Sequence, residues 1–551
     1  MKPARKGRRE DTPAPSAEVA AAPPALPFWV FALALVIALI IYLPALRGPF
    51  VFDDLTLPVL QKQNSAQWTQ YLTAVRPLYY LNLLAQYRLH GDNPLPFHLV
   101  NWLLHALNAL LLYGIVSRYC RLADLTGRDA VVAAAFGAGL FLLHPLNTEA
   151  VSYIASRSEV LSVLFAFLAW RLFLDRRDPR LGLGAMAGIL AMLALALAVK
   201  EHVIALIAVF LLTDLLFGGW RGNLRFYLTL GLFGAAAGAY LLAQASNNTA
   251  GFGVEGVTPV AYFTTQGAVI WRYLQLSVLP VGQSVDHAIP IGPSILGIAG
   301  WAAIAAVALW LWRRGPKLAL FGWLVFLAML APTSSIVPIA DAMAERRLYL
   351  ALPGLALLAA PWVRQAKPWL LGGVLVALAL VTWNRNEKWA SSEALWRDAI
   401  AGNPANARAQ FQLAHALYLD GRCADSLPHF ERADQHGGAE TALFVDWALA
   451  LDCAGQPDEA LAILGRARED SHLRWSTTGM IEGKRGRSVE ALAALDRALE
   501  LRPRFAMSWV YRGNVLVGLG RRDEAAENFR RALQIDPDNA AARQGLAAVA
   551  R

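Results

Sequence analysis

This 551-residue sequence has little charge and little cysteine. Only 17% of its residues are charged and 56% are hydrophobic, which excludes a soluble domain of ordinary composition and favours a membrane protein. Three cysteines are too few for a disulfide-stapled secreted scaffold. Lysine is scarce as well: eight Lys stand against forty-two Arg, a bias that suggests a GC-rich genome and hence a bacterium.

The net charge of +9 does not by itself indicate nucleic-acid binding. Much of the basic excess lies in the tail "KPARKGRR" and in short loops between apolar runs, which is the positive-inside pattern of membrane proteins. We therefore predict no nucleic-acid partner. Residues 1–27 are polar, then rich in Pro and Ala, and predict a disordered cytoplasmic tail. The apolar run Phe28–Leu46 is too long for a signal-peptide core and lacks a following cleavage site, so it predicts a first transmembrane helix.

Further apolar runs predict an all-α, polytopic membrane domain over residues 28–384. The segment 262–280 carries Arg272 near its middle, and a charge at the bilayer centre is costly, so we predict an interfacial or re-entrant helix there. About eleven crossings then remain, which places every residue after 384 outside the cytoplasm. The runs lie at roughly 98–117, 130–143, 158–174, 183–199, 202–217, 224–243, 262–280, 295–312, 318–331, 347–361 and 368–384.

The C-terminal part shows an internal repeat. Gly421, Gly455, Gly486 and Gly520 are spaced 34, 31 and 34 residues apart, and each precedes a second amphipathic helix. Small residues recur seven positions before and twelve positions after each glycine, which is the tetratricopeptide pattern. We predict a linker helix at 385–404 and about four repeats with a C-terminal capping helix at 405–551. The small residues are Ala414, Ala448, Gly479, Gly513, Ala433, Ala467, Ala498 and Ala532.

The three cysteines relate to the compartment in which each part of the chain is expected to lie. Cys120 lies in a loop predicted to be cytoplasmic, where a free thiol is expected. Antiparallel packing of two repeat helices would bring Cys423 and Cys453 together. In an extracytoplasmic domain they would form a disulfide, and two unpaired thiols are the alternative.

The first external loop, residues 47–97, contains the adjacent acids Asp53 and Asp54. The next helix carries His98, Asn101, His105 and Asn108 on one face, because their spacing is 3, 4 and 3 residues. These polar residues either line a binding pocket or form hydrogen bonds between membrane helices.

Three further outward segments carry charge, and together with the first loop they converge on one side of the membrane. A carboxylate there suits a general base that takes a proton from a hydroxyl, and Arg or Lys at headgroup depth suits a phosphate. Asp and Glu are also ligands for a divalent cation, so the sequence leaves metal use undetermined. The charged residues of these segments are His144, Glu149, Arg157 and Glu159, then Lys200, Glu201 and His202, and then Asp341, Glu345, Arg346 and Arg347.

Taken in order, these motifs resemble the transmembrane-and-tetratricopeptide O-mannosyltransferase family. The strings that carry the resemblance are "FVFDD", "RPLYYLNLLAQYRLHG", "PFHLVNWLLHALN", "HPLNTEAVSYIASRSEVLS", "VKEHV" and "AERRLYLALPG", followed by the repeats. The resemblance implies a membrane glycosyltransferase of the GT-C type, which moves a sugar from a polyprenyl-phosphate carrier to a hydroxyl of an extracytoplasmic protein.

The resemblance also implies roles for residues. An acid of the first external loop is the catalytic base; Asp54 is favoured by position, with Asp53 as the alternative. The carrier phosphate is assigned to Arg76, Lys200, Arg346 and Arg347, with Arg272 added from the membrane-helix argument. The sugar or acceptor pocket is assigned to His98, His105, Glu149, Arg157, Glu159, Glu201, His202 and Glu345.

The repeats are then expected to present the acceptor protein. The repeat array is shorter than in animal members, so acceptor choice is expected to differ. In a bacterium the protein is expected in the inner membrane, with an undecaprenyl-type carrier in place of dolichol, and mannose is inferred from the relatives alone. Two other functions fit part of the pattern: a non-enzymatic scaffold for envelope or pilus assembly, and a lipid-linked glycan ligase or polymerase. A scaffold needs a single anchor, so it leaves the many helices and the outward charges unexplained.

Overall fold

A computed structural model describes residues 26–60, 68–244, 251, 254, 256–438 and 440–550. Residues 1–25, most of the predicted tail, lie outside these. The regular elements of the described residues are helices, in agreement with the predicted all-α class. The first part of the chain contains α1 (Phe28–Leu46), α2 (Pro77–His90), α3 (Pro94–Leu122), α4 (Gly127–Leu143), α5 (Thr148–Ser152), α6 (Arg157–Arg176), α7 (Leu183–Leu197), α8 (Leu206–Phe217), α9 (Leu224–Gln244), α10 (Pro259–Val278), α11 (Ile295–Arg314), α12 (Lys317–Leu330), α13 (Leu348–Val363) and α14 (Pro368–Lys388).

Four of the described helices are long and apolar enough to cross a membrane: α1, α3, α11 and α14. A fifth span results if α4 and the segment Pro145–Ser152, bent by 49° against it, count together. The eleven predicted crossings are therefore not confirmed by length and composition. The reason is visible in α8, whose 12 residues extend about 18 Å, well short of a hydrocarbon core of about 30 Å.

Close helix contacts depend on glycine. Gly322 of α12 and Gly354 of α13 face each other's helix, and a Cβ at either position would overlap the backbone of the neighbour. Gly267 of α10 and Gly297 of α11 approach each other in the same way. Small residues let membrane helices pack at short range where burial of apolar surface gives no driving force.

The C-terminal part is a series of antiparallel helix pairs. After α15 (Ser392–Gly402), four pairs follow, and a last helix α24 (Ala540–Val549) packs on the fourth. Within each pair the turn contains the predicted glycine, with φ of 75°, 79°, 75° and 72° at Gly421, Gly455, Gly486 and Gly520, a conformation that favours glycine. The pairs are α16 (Ala407–Leu419) with α17 (Cys423–Gln435), α18 (Thr441–Cys453) with α19 (Pro457–Arg466), α20 (His472–Lys484) with α21 (Ser488–Leu501), and α22 (Ala506–Gly518) with α23 (Arg522–Ile535).

The predicted small residues lie where the helices of a pair touch. Ala414 and Ala448 are fully buried, and a Cβ at Gly513 would lie 2.7 Å from the Phe529 ring. Cys423 and Cys453 form a disulfide with a Cα–Cα distance of 6.0 Å, which joins α17 to α18. Of the two alternatives for these cysteines, the structure therefore has the paired one.

The first repeat is packed against the preceding part of the chain and is not separated from it by an unpacked linker. α14 continues to Lys388, and the segment predicted as one linker helix contains the separate helix α15. Trp389 and Trp396 are buried in an apolar cluster with Val51 of the first external loop, Tyr153 of the second and Leu413 of the first repeat. The first repeat is thus packed directly on the loop that carries the acid pair.

Candidate active site

The two adjacent acids of the first loop have different environments. A 3-10 helix, Phe52–Thr56, turns the Asp54 side chain inward and leaves Asp53 exposed. Asp54 is fully buried, and its two carboxylate oxygens accept the backbone N–H groups of Val51 at 3.0 Å and Ala155 at 2.6 Å. Asp54 therefore ties the first external loop to the second.

Asp53 is oriented by Tyr153. The Asp53 N–H donates to the Tyr153 hydroxyl oxygen at 2.9 Å, which places Asp53 beside the phenol. Burial raises the pKa of Tyr153 well above its usual value, so the phenol stays protonated and can act as a donor. The exposed Asp53 carboxylate is held beside a neutral phenol.

The backbone before the acid pair is strained. Phe52 has φ of 53°, a left-handed conformation that is unusual for a bulky residue. Its ring stacks on Tyr153 with centroids 6.2 Å apart and meets the edge of Trp396 at 5.4 Å. Aromatic contacts from the second loop and from α15 stabilise this conformation. Backbone strain of this kind is found most often at functional sites.

Three ion pairs join the segments at the ends of the helices. Arg76 forms a bidentate pair with Glu201, and Lys200 pairs with Glu159. Arg346 pairs with Glu149, which also accepts the Arg346 backbone N–H at 2.9 Å. Each pair joins two of the segments that the sequence analysis placed on one side of the membrane.

These pairs are joined to the acid loop through shared segments. Lys200 and Glu201 are consecutive, so the pairs with Glu159 and Arg76 meet at one turn. Glu149 lies in the short helix that leads to Tyr153, whose hydroxyl accepts the Asp53 N–H. The structure therefore brings the predicted charged clusters together into a single site, which we call the outward cluster.

The protonation of two carboxyls differs sharply. Burial raises the pKa of Asp54 to about 8, although the backbone N–H bonds oppose this change. Burial alone would also raise the pKa of Glu201, but the adjacent Arg76 and Lys200 lower it to about 2. Glu201 is therefore ionised at neutral pH, whereas Asp54 is largely protonated.

Arg157 has a different kind of environment from the other cations. It is fully buried, and its guanidinium donates to three neutral oxygens: the Asn101 and Asn82 side chains and the Phe97 carbonyl, the last two at 2.7 Å. It joins α6 to α2 and α3. Its position behind the acid loop supports the geometry of the site, and Asp54 lies within electrostatic range.

Several predicted pocket residues form hydrogen bonds within the helix bundle. His105 lies between the Tyr349 hydroxyl at 2.9 Å and the Leu142 carbonyl at 3.2 Å, and His98 lies 3.2 Å from the Gly48 carbonyl. Asn101 and Asn108 also donate to carbonyls of other helices and loops. The alternative of helix–helix hydrogen bonding describes this polar face.

Other predicted residues support loops. The buried Glu345 accepts from Ser284 N at 2.8 Å, Gln283 Nε2 at 2.7 Å and His287 Nε2 at 2.9 Å. Arg272 donates to the carbonyl of Gly282 at 2.8 Å, so its charge is directed to the loop that follows α10. His202 is buried, with Nε2 3.2 Å from Glu159, and belongs to the outward cluster.

Sequence reasoning missed Arg408. This residue of α16 reaches back to two outward loops, to Asp341 at 2.9 Å and to Asp286 at 3.4 Å. Its position inside a repeat gave no signal, since the pairs join segments 67 or more residues apart. Within the described part of the chain, no group of three His, Cys, Asp or Glu side chains is arranged to hold a metal ion.

Comparison with known proteins agrees with both parts of the chain. The family model described as tetratricopeptide repeat matches residues 383–440 and 477–540. Protein O-mannosyl-transferase TMTC3 of Homo sapiens is 23% identical over 84% of this chain and 58% of its own length. Protein O-mannosyl-transferase F38B6.6 of Caenorhabditis elegans is 24% identical over 72% of this chain and 61% of its own length.

The chain thus spans about three fifths of the length of these relatives. Among solved structures, a thermophilic TPR protein of Thermus thermophilus covers 33% of this chain and 97% of that chain, at 20% identity and a TM-score of 0.27. The repeat assignment therefore rests on the family model and on the helix pairs, not on that likeness. By sequence, the chain is similar over most of its length to protein O-mannosyl-transferases, and the resemblance to the transmembrane-and-tetratricopeptide O-mannosyltransferase family is confirmed.

Proposed function

We propose that this protein is an integral-membrane glycosyltransferase that moves a sugar from a polyprenyl-phosphate carrier to a hydroxyl group of an extracytoplasmic protein. The observation that carries the proposal is the outward cluster, in which an exposed carboxylate and several cations from distant segments meet at one end of apolar helices. A base beside cations is the arrangement that group transfer from a lipid-linked phosphate needs. The names of the relatives support mannose as the sugar.

Asp53 is the general base in this proposal, and Asp54 positions it. A base must reach the proton that it removes, and only Asp53 of the two has an exposed side chain. Its carboxylate takes the proton of the acceptor hydroxyl as the hydroxyl oxygen attacks the anomeric carbon of the sugar. The bond between that carbon and the phosphate oxygen breaks, and polyprenyl phosphate leaves. The geometry therefore moves our preference from Asp54 to Asp53.

Arg347, beside Arg346, is proposed to hold the phosphate. Arg76, Lys200 and Arg346 are each paired with a carboxylate, which offsets their charge. Arg347 is half-buried, and its guanidinium donates to the carbonyls of Asp341 at 2.7 Å and Ala342 at 3.1 Å, so it keeps its positive charge for an anion.

An apolar groove of 260 Å³ lies between α4, α10 and α13. Leu140, Phe141 and Leu274 line the groove. His144 and Ser277 form its polar part, where the His144 Nε2 atom hydrogen-bonds the Ser277 carbonyl at 3.0 Å. We assign this groove to the polyprenyl chain, because an apolar channel that borders the outward segments allows the carrier to remain in lipid while its phosphate reaches the site.

The topology is part of the proposal. Disulfides persist in oxidising compartments, so the Cys423–Cys453 bond supports repeats outside the cytoplasm. With the N-terminus inside, the chain would cross about eleven times, some crossings being made by short or bent helices. We place the protein in a bacterial inner membrane, with an undecaprenyl-type carrier, and assign acceptor presentation to the repeats.

The test uses the full chain in nanodiscs with radiolabelled polyprenyl-phosphate mannose, and with secreted proteins of the source cell and Ser- or Thr-containing peptides as acceptors. Wild type is expected to transfer label to protein, and Asp53→Asn to lower the rate by about 10²–10⁴. Transfer to a lipid-linked glycan alone would indicate a ligase. If the donor stays intact while the repeats still bind an envelope protein, the protein is a scaffold and the proposal is wrong.

A further inference from the structure

A cavity lies between the outward loops and the first repeat. It has a volume of 360 Å³, within the range of about 300–1,000 Å³ that ligand sites occupy. Residues of the loops 286–289 and 340–343, of the segment 403–408 and His436 line it, and we call it the junction cleft. The cleft is polar, and the proposed catalytic residues are not among its lining residues.

Arg408 and the apolar residues near it connect the cleft to the acid loop. The Arg408 guanidinium contacts Asp341 and Asp286 across the cleft. Val285, next to Asp286, is buried in the same apolar cluster as Val51, which precedes the acid pair. Arg408 is 42% exposed and Asp341 36% exposed, so both remain accessible to an incoming group. Asn406 fixes one wall, because it donates to the Asp286 carbonyl at 3.2 Å.

Backbone strain lies on both sides of this connection. Ala288, which lines the cleft, has φ of 44°, and Phe52, next to Asp53, has φ of 53°. Non-glycine residues in this region cost free energy and persist at ligand clamps and active sites, where the surroundings hold them. The strain at Ala288 therefore shapes the wall of the cleft, and the strain at Phe52 shapes the acid loop.

We propose that the junction cleft binds an extended segment of the acceptor protein and leads its hydroxyl side chain to Asp53. The inference rests on the proposed function and names where the acceptor enters. The cleft supplies the Asp341 carboxylate for peptide N–H groups, and the Arg408 guanidinium and the Asn403 amide for peptide carbonyls, which matches a polypeptide backbone. It lies on the first repeat, whereas the apolar groove assigned to the donor lies among the membrane helices.

The test fills the cleft without removing its polar groups. Ala405 is exposed and lines the cleft, so Ala405→Trp places a large ring in it. Ala401 is also exposed, lies four residues earlier and is not part of the lining, so Ala401→Trp is the matched control. Both variants are assayed as full-length protein in nanodiscs, with polyprenyl-phosphate mannose and a Ser- or Thr-containing peptide that wild type modifies.

We expect Ala405→Trp to raise the KM for the peptide at least about tenfold while the KM for the donor stays within about twofold, and Ala401→Trp to match wild type. Asp341→Asn is expected to raise the peptide KM in the same direction. Equal peptide KM values for Ala405→Trp and wild type would refute the assignment of the cleft to the acceptor and leave the proposed glycosyltransferase activity unaffected. A rise in donor KM alone would assign the cleft to the sugar donor and overturn the inference. If wild type transfers no sugar at all, the proposed function fails and the cleft assignment fails with it.

Discussion

Replacing each acid of the first loop by alanine separates structure from chemistry. Asp54→Ala leaves the buried Val51 N–H and the part-buried Ala155 N–H without an acceptor. An unsatisfied buried donor costs about 1–3 kcal/mol and a part-buried one costs less, so we expect a loss of about 2–4 kcal/mol in the free energy of unfolding. Because 1.4 kcal/mol is a factor of ten, the unfolding equilibrium constant rises by about 30-fold or more.

Asp53→Ala is the matched control, since the Asp53 side chain is exposed. It is expected to change the free energy of unfolding by less than about 0.5 kcal/mol and to lower the transfer rate by about 10²–10⁴. Denaturant unfolding in detergent measures the first quantity, and transfer of labelled sugar measures the second. A stable but inactive Asp54→Ala, together with an active Asp53→Ala, would refute this assignment and make Asp54 the base.

The contribution of Asp54 to stability also depends on pH. The pKa of Asp54 is raised to about 8 in the folded protein, against about 3.9 in an unfolded chain. The contribution of Asp54 to stability is therefore fully present below about pH 4 and is lost as the pH rises through about 8. The stability difference between wild type and Asp54→Ala should shrink over this window. A difference that grows with pH would contradict the raised pKa.

Three more substitutions test the framework. Cys423→Ser opens a loop of 30 residues and should destabilise the repeats by about 3.5 kcal/mol, as measured by denaturant unfolding; no change would show that the bond is absent. Gly354→Val should lower the thermal midpoint by overpacking α13 on α12, at a cost of about 1–3 kcal/mol, whereas Gly373→Val faces open space and should not. Trp396→Ala removes the ring that packs on Phe52, and it should lower the free energy of unfolding by about 3–5 kcal/mol and slow sugar transfer. Full activity would show that α15 does not support the site.

The repeats were predictable because their signals are local. A turn that needs a positive φ selects glycine, and this occurs at Gly421, Gly455, Gly486 and Gly520. The helix contacts need small side chains at fixed offsets from those turns, as at Ala414 and Ala448. Such requirements do not depend on distant parts of the chain.

The sequence analysis also grouped the outward segments, because the predicted crossings would return the chain to the same side, and ion pairs join several of these segments in the structure. The individual contacts were not predictable. Arg346 is 197 residues from Glu149, and Arg76 is 125 residues from Glu201, so no spacing in the sequence indicated these partners. For the same reason the sequence did not distinguish Asp53 from Asp54, whose burial depends on the Ala155 backbone of another loop.

The number of crossings was the least predictable feature. A hydropathy pattern counts apolar runs, whereas a span also needs length and a straight axis, and the bend of 49° after α4 interrupts one run. Polar residues in the apolar helices were ambiguous for a related reason. His105 serves helix packing in the structure, although its residue type alone fits a binding pocket equally well.

The most direct test of the central claim is a cryo-electron microscopy structure of the full chain in nanodiscs with a non-cleavable polyprenyl-phosphonate sugar. We predict density for the phosphonate beside Arg346 and Arg347, the sugar turned towards Asp53, and the polyprenyl chain in the groove between α4, α10 and α13. Density for the phosphonate away from the outward cluster, or an unliganded cluster at saturating analogue, would contradict the account.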